Sequence, residues 1–159
     1  MQTTTSNVKA ATFSGMFEFQ GTIYENAQAN LSEEQAQQRP GEHNNHINWL
    51  LGHVLHCRFM LANMLGVEAE NPFGQRYWTA IEEVEYPPVA EVVQHFAGIS
   101  SKLVAALNAM SDEQLDARPA EGKPSMSEIV SFFVYHEAYH LGQLGYARKA
   151  IGMEAMKAN

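Results

Sequence analysis

Apolar residues recur along most of the chain at intervals of three and four positions, which is the spacing of one buried helix face. The pattern runs from Val8 to about Asn30, from about Asn45 to Leu65, from Pro88 to Met110 and from Ser125 to about Ile151. No stretch alternates apolar and polar residues between turn signals, so no β-sheet is predicted. Four helices of roughly 20 residues each favour an all-α protein built as a four-helix bundle.

Residues at the predicted helix ends carry capping signals. Ser6 is placed to cap the first helix, and Asn44 or Asn45 the second. Ser125 opens the fourth helix with the capping-box pattern S-x-x-E. Gly66 follows the second helix, where a glycine commonly takes a left-handed conformation and ends the helix.

A long connection separates the second and third helices, from Val67 to Pro87. It is long enough to form a crossover between parallel helices, and loops of this length are often functional. Its aromatic residues Phe73, Tyr77 and Trp78 either line the mouth of a pocket as a lid or pack into the core. Packing is the preferred prediction for Phe73 and Trp78.

Two segments of the chain resemble each other. LSEEQAQQRP at 31–40 and MSDEQLDARP at 110–119 align without gaps and share Ser, Glu, Gln, Arg and Pro. Each opens with S-x-x-Q and ends in proline, which predicts a short capped turn of helix. If the match is not due to chance, the chain contains two related helical hairpins, and the second and fourth helices occupy equivalent positions.

Histidines on these two helices form a candidate metal site. His136 and His140 are four residues apart, so one helix face presents both imidazoles to a single ion. His53 on the second helix is the predicted third ligand, with His56 as the fallback. The alternative is that these histidines bond only to backbone or water. His46, near the start of that helix, is predicted to be a solvent-side or lid residue.

The letters HEAYH also match the H-E-x-x-H motif of zinc proteases. The extended motif requires glycine and histidine downstream, where this chain has Gln143 and Tyr146. Those enzymes also bind substrate along a sheet edge, and no sheet is predicted. Glu137 is rotated by about 100° from His136 on a helix, so it is predicted to contact a ligand histidine or a neighbouring helix rather than to be the base.

Composition excludes several classes of function. The 18 acidic and 10 basic residues give a net charge of −8, which disfavours partners such as nucleic acid and anionic membranes. We expect one domain over residues 1–159, with neither a secretory signal nor a membrane-spanning segment. The single cysteine, Cys57, fits a cytoplasmic location and is either a small buried hydrophobe, a redox-sensitive thiol or a fourth metal ligand.

NNHINWLLGHVLH at 44–56, followed by HEAYHLGQLGYARKAIG at 136–152, resembles the DinB-like family, which is related to thiol-dependent transferases and to the maleylpyruvate isomerase type. The resemblance extends over nearly the whole chain. It implies a four-helix bundle with a long crossover between the second and third helices, often a homodimer. It also implies a divalent metal ion held by His53, His136 and His140.

The site and the resemblance together favour an enzyme that acts on a small molecule. Zinc is the first choice of metal, and nickel, iron or manganese also suit three imidazoles. The ion would activate water or a low-molecular-weight thiol against an electrophile, in a pocket lined by Trp49, Tyr139 and Gln143. The alternative is a homodimeric binding or stress-response module without catalysis, with the metal structural or absent.

Overall fold

The computed structural model describes residues 7–80 and 84–157. Its helices are α1 (Val8–Ala27), α2 (Glu33–Gln37), α3 (Ile47–Met64), α4 (Val89–Gln94), α5 (Phe96–Asn108), α6 (Asp112–Asp116) and α7 (Met126–Ala150). No strand occurs among these residues. The predicted all-α bundle is therefore confirmed, with α1, α3, α4–α5 and α7 as its four long members.

Each long helix packs against two others. Both α1 and α3 contact α5 and α7, so the second and fourth predicted helices are neighbours. Asn48 at the start of α3 donates a hydrogen bond to the Pro87 carbonyl just before α4, and Arg58 farther along α3 donates one to Ser100 of α5. These two contacts show that α3 and α4–α5 run parallel, which makes the intervening connection the expected crossover.

The third predicted helix is not continuous. A turn at His95 separates α4 from α5, and the His95 backbone nevertheless remains in the right-handed helical region. The prediction of one unbroken helix from Pro88 to Met110 is therefore wrong at this residue.

Two of the capping predictions are confirmed. Ser125 and Glu128 form the predicted capping box of α7. Gly66 has a φ of 85° after α3, and the amides of Gly66 and Val67 bond back to the Asn63 and Ala62 carbonyls. This is the paired hydrogen-bond pattern of a Schellman motif, in which a glycine ends the helix.

The other two capping predictions have different outcomes. Asn44 and Asn45 do not cap α3. Instead the Nδ1 atom of His46 accepts a hydrogen bond from the Trp49 amide at 3.0 Å. His46 is buried, so its prediction as a solvent-side residue is also wrong. Ser6 lies outside the described residues, and Asn7 precedes α1 without a side-chain capping bond.

The internal repeat is present in three dimensions. Ser32 with Gln35 and Ser111 with Gln114 form capping boxes on α2 and α6. Arg39 and Arg118, which precede the final prolines of the two matching segments, donate equivalent 2.9 Å hydrogen bonds to the carbonyls of Asn44 and Lys123. Positions 79 apart in sequence are therefore structurally equivalent.

The core lies where the four long helices meet. Fully or almost fully buried side chains from each of them fill it, among them Phe17, Leu51, Leu55, Leu103 and Leu144. Burial of each such side chain contributes about 1.5–3 kcal/mol to folding. Within the described ranges, no helix combines the length and apolar character needed to cross a bilayer.

Candidate metal centre

Three imidazoles from α3 and α7 meet in the structure. The ring centroids of His53, His136 and His140 lie 4.5 to 5.2 Å from one another. The Nε2 atom of His136 lies 3.5 Å from Nε2 of His53 and 3.2 Å from Nε2 of His140. Two ligands about 2.05 Å from a tetrahedral zinc ion would themselves be about 3.3–3.4 Å apart. The spacing therefore suits one shared ion.

Hydrogen bonds fix the orientation of two of these rings. Nδ1 of His53 lies 2.7 Å from the Tyr77 carbonyl oxygen, and Nδ1 of His140 lies 2.7 Å from Oε1 of Gln143. Both oxygens are acceptors, so each Nδ1 carries the proton and donates it. Nε2 of each ring then presents its lone pair to the centre, as in metal sites whose ligand histidines are oriented by such partners. Gln143 thus contacts one of the three candidate ligand histidines.

Burial keeps the three rings neutral. It lowers the pKa of His53, His136 and His140, in the last case to about 4, and the proximity of the rings adds to the effect for His136 and His140. Neutral imidazole is the form that binds a metal ion. The three rings are therefore in the protonation state that metal binding requires.

Cys57 also belongs to this cluster. Its Sγ lies 3.7 Å from Nε2 of His53, and the ligand atoms of His53, Cys57 and His136 all lie within 4.8 Å of one another. These three residues could hold a metal ion. Burial, followed by the charge of Glu137, raises the pKa of the thiol to about 12, so without a metal Cys57 is protonated at neutral pH. A metal ion deprotonates a thiol that it binds.

The local sequence explains why His53 faces the centre. Gly52 precedes it on α3, and a Cβ atom at position 52 would lie only 2.2 Å from the ring of Tyr77. The close approach requires glycine, and it brings the carbonyl of Tyr77 to His53. The Tyr77 hydroxyl donates a 2.9 Å hydrogen bond to Oδ1 of Asn48, which anchors the crossover to α3. The missing side chain of Gly52 thus gives the crossover room to pack against α3.

Glu137 points away from the imidazoles and pairs with Arg58 of α3. Both oxygens of its carboxylate accept hydrogen bonds from the guanidinium, the shortest at 2.5 Å, and both side chains are at least 97% buried. Burial raises the pKa of Glu137, and the charge of Arg58 acts in the opposite direction. This matches the predicted contact with a neighbouring helix, and it places Glu137 outside the position of a catalytic base.

Arg58 is the main residue that sequence reasoning missed. Besides Glu137 it bonds to Ser100 and to the Phe17 carbonyl, and its guanidinium lies 4.3 Å from the centre of the Phe96 ring. The sequence did carry a signal for Arg58. It is the one arginine in the apolar run HVLHCRFML, and it lies at the position equivalent to Glu137 in the repeat. The sequence carried no such signal for the hydrogen bond between the Tyr77 carbonyl and His53, because every residue has a backbone carbonyl.

The predicted pocket residues contact the imidazoles. The ring of Trp49 stacks on His53 at 4.7 Å, and its indole N–H is buried without an acceptor among the described residues. Tyr139 is half exposed beside His140, and its hydroxyl accepts a hydrogen bond from Gln143. That these three line the substrate pocket stays a prediction.

The fallback ligand lies outside the cluster. Nδ1 of His56 accepts a hydrogen bond from Asn71 of the crossover at 2.9 Å, and its ring lies beside Trp78. Phe73 packs against the core as preferred, whereas Trp78 is 49% exposed, so its placement in the core was wrong. Trp78 therefore lies at the surface above His53 and His56.

Comparisons with known proteins agree with this architecture. A crystal structure described as the conserved protein of locus from Enterococcus faecalis superposes with a TM-score of 0.69 at 13% identity, covering 89% of this chain and 95% of that one. At this identity the likeness shows the fold alone. No curated protein matches the sequence. The model of the DinB superfamily matches residues 16–144, which is most of the chain, and the protein therefore belongs to the DinB superfamily.

Proposed function

We propose that the protein is a divalent-metal-dependent enzyme that acts on a small electrophilic molecule. His53, His136 and His140 would hold the ion, and the observation that carries this proposal is the convergence of their Nε2 atoms at 3.2–3.5 Å. Three imidazoles in a tetrahedral site leave one position for an exogenous ligand, which is the usual arrangement of catalytic zinc.

Zinc is the metal we favour. The separations between the Nε2 atoms suit a tetrahedral ion, and the nearby thiol of Cys57 is a soft donor that zinc accepts readily. Nickel, iron and manganese also bind imidazole, and manganese prefers the harder oxygen ligands that this cluster lacks.

The residues around the centre have definable roles. A bound divalent ion supplies Lewis acidity, which lowers the pKa of a coordinated water or thiol. The Tyr77 carbonyl and Gln143 hold His53 and His140 in the tautomer that binds metal. Trp49 covers the His53 ring and excludes water from that side.

Membership of the DinB superfamily supports a low-molecular-weight thiol as the second reactant. Its thiolate would attack an electrophilic carbon of the substrate, forming a C–S bond while the leaving group departs with its electron pair. The thiol proton would pass to solvent. With water in place of the thiol, the same site would catalyse hydrolysis. We place this activity in the cytoplasm, where low-molecular-weight thiols stay reduced.

We also propose a homodimer that forms through the outer face of α7. Tyr135, Tyr139 and Tyr146 are all more than half exposed along this helix. Exposed aromatic residues in such a row are typical of protein interfaces. Light scattering would measure the mass of the parent and of Tyr135→Glu. The parent should be dimeric and the variant monomeric, and a monomeric parent would refute the proposal.

Metal content tests the proposed enzyme. Protein purified without an affinity tag should contain close to one divalent ion per chain, and His53→Ala and His140→Ala should each abolish it. His43→Ala is the matched control, because this exposed histidine lies outside the cluster. Absence of metal from the parent, or its retention in both variants, would refute the site. If metal removal lowers only the melting temperature and no thiol transfer or hydrolysis is detected, the site is structural.

One observation favours a second function, a structural metal site in a module without catalysis. If Cys57 binds together with the three histidines, all four tetrahedral positions are filled by protein, as in structural zinc sites. Substitution with Co²⁺ separates the two functions, because a cobalt–thiolate bond adds a charge-transfer absorption in the near ultraviolet. That absorption in the parent and its loss in Cys57→Ser would favour the structural site. Its absence from the parent would leave an open catalytic position.

A further inference from the structure

A cavity of about 430 Å³ opens beside the imidazole cluster. His136 and Cys57 form part of its wall, and both also belong to the cluster that could hold a metal ion. The rest is almost entirely apolar, with Met60, Ile129, Phe132 and Phe133 among the lining residues. Cavities of roughly 300–1,000 Å³ with such walls and a few polar groups at one end are typical of small-molecule sites.

The one carboxylate at the cavity does not make it a site for a cation. Glu128 accepts hydrogen bonds from Arg118 through one oxygen and from the Ser125 amide through the other. Its charge is therefore paired and its acceptors are engaged in capping α7. A charged group inside the cavity would lose its hydration without gaining a partner, so the walls select an uncharged occupant.

Two aromatic side chains at the rim are left partly in water. Phe132 is 56% exposed and Trp78 is 49% exposed, although both line the cavity. An occupant would cover their inner faces and gain the free energy of burying apolar surface. The Met60 side chain can adjust its shape to different occupants.

We infer that this cavity binds the alkyl or aryl portion of an uncharged small molecule whose polar end reaches the imidazole cluster. The inference rests on the proposed function for that polar end, and it names an apolar substrate class for the same site. A polar substrate of the same size would instead need hydrogen-bonding side chains that these walls lack. Burial of about 100 Å² of aryl surface should tighten binding by about 10- to 100-fold.

The first test does not depend on the metal. Metal-free protein with ¹³C-labelled methionine methyl groups is titrated with 1-naphthol and followed by NMR. The resonance of Met60 should shift, whereas that of Met16, on the exposed face of α1, should not. Ile129→Asn should weaken binding at least tenfold, and Gln75→Ala, in an adjacent cavity, should leave it unchanged. An unshifted Met60, as expected if a second copy of the chain covers the cavity, would overturn the inference.

The second test links the cavity to the centre. Zinc-loaded protein is titrated with acetohydroxamate and with benzohydroxamate, which share a chelating head and differ in the aryl group. The inference predicts at least tenfold tighter binding of benzohydroxamate, and loss of that difference in Ile129→Asn. Equal affinities would refute the apolar subsite and leave the metal centre standing. If zinc does not bind, the proposed function fails, and the naphthol titration still decides whether the cavity binds apolar groups.

Discussion

Removal of the Arg58 guanidinium should destabilise the protein, because it breaks the buried ion pair with Glu137. In Arg58→Met the apolar stem is kept, while the carboxylate of Glu137 stays buried between α3 and α7 without its partner. Loss of one member of a buried ion pair costs about 3–5 kcal/mol. For a chain of this length that lowers the melting temperature by roughly 10 °C.

The double variant Arg58→Met/Glu137→Leu gives the sharper result. It removes both charges, so the remaining cost is the lost hydrogen bonds to the Phe17 carbonyl and to Ser100, and the lost contact with the Phe96 ring. These amount to about 1–3 kcal/mol. The double variant should therefore be more stable than Arg58→Met alone, although it carries one more substitution.

Urea unfolding of the metal-free protein, followed by circular dichroism, measures the parent, the single variants Arg58→Met and Glu137→Leu, and the double variant. The matched control is Arg118→Met, which breaks the exposed pair with Glu128 and the exposed hydrogen bond to the Lys123 carbonyl. It should change stability little, because solvent screens the pair and water replaces the bond. If the two single costs simply add in the double variant, Arg58 and Glu137 are not coupled and our account of Glu137 is wrong.

Three further predictions follow from individual contacts. Gly52→Ala should destabilise the protein by about 1–3 kcal/mol and weaken metal binding, because the new Cβ displaces Tyr77. Gly15 lies in open space, so Gly15→Ala should instead stabilise α1 by up to about 1 kcal/mol in the same urea assay. Gln143→Leu should weaken metal binding about 10- to 100-fold in a competition titration with a chelator. Gln143→Glu keeps an acceptor for His140 and should bind metal as the parent does. Equal losses of affinity in the two variants would refute the orienting role of Gln143. Burial, with the charge of Arg39, lowers the pKa of His46 from 6.5 to about 4, so its contribution to stability is complete above pH 6.5 and falls by up to about 3 kcal/mol as the pH drops to 4 and below. His46→Asn keeps a capping side chain without that titration, and unfolding of the metal-free proteins across this range should show the parent losing more stability than the variant.

The sequence predicted the helix bundle because helices and their caps depend on contacts between residues that are close in sequence. The helix periodicity and the capping boxes at Ser32, Ser111 and Ser125 involve contacts within four positions, which a sequence displays directly. The break at His95 has no such local signal. The cap of α3 was misplaced because asparagine is the commoner capping residue, whereas here the imidazole of His46 performs that role.

The candidate site was less predictable because its geometry depends on the crossover. Helical spacing was enough to place His136 and His140 together, and the repeat placed α3 beside α7. The sequence could not show that Tyr77 would pack on Gly52 and orient His53 through a backbone carbonyl. The sequence also could not predict the apolar cavity, because the cavity is a gap between α3, α7 and Trp78 that forms only when these parts pack together.

The internal repeat explains both the ion pair and the position of Cys57. Arg58 and Glu137 are 79 residues apart, and this is also the offset between the matching segments, so they occupy equivalent positions on two antiparallel helices. Equivalent residues of such a pair meet where the helices cross, and opposite charges there stabilise the crossing.

The preceding residues on each helix are Cys57 and His136, which the same relation brings close together. The remaining donors break the symmetry: the position equivalent to His53 is Phe132, and the position equivalent to His140 is Leu61. Donor side chains thus gather around the crossing, and Phe132 lines the apolar cavity that adjoins them. A symmetric frame therefore carries a site with one face suited to a cation and the adjoining face suited to an apolar group.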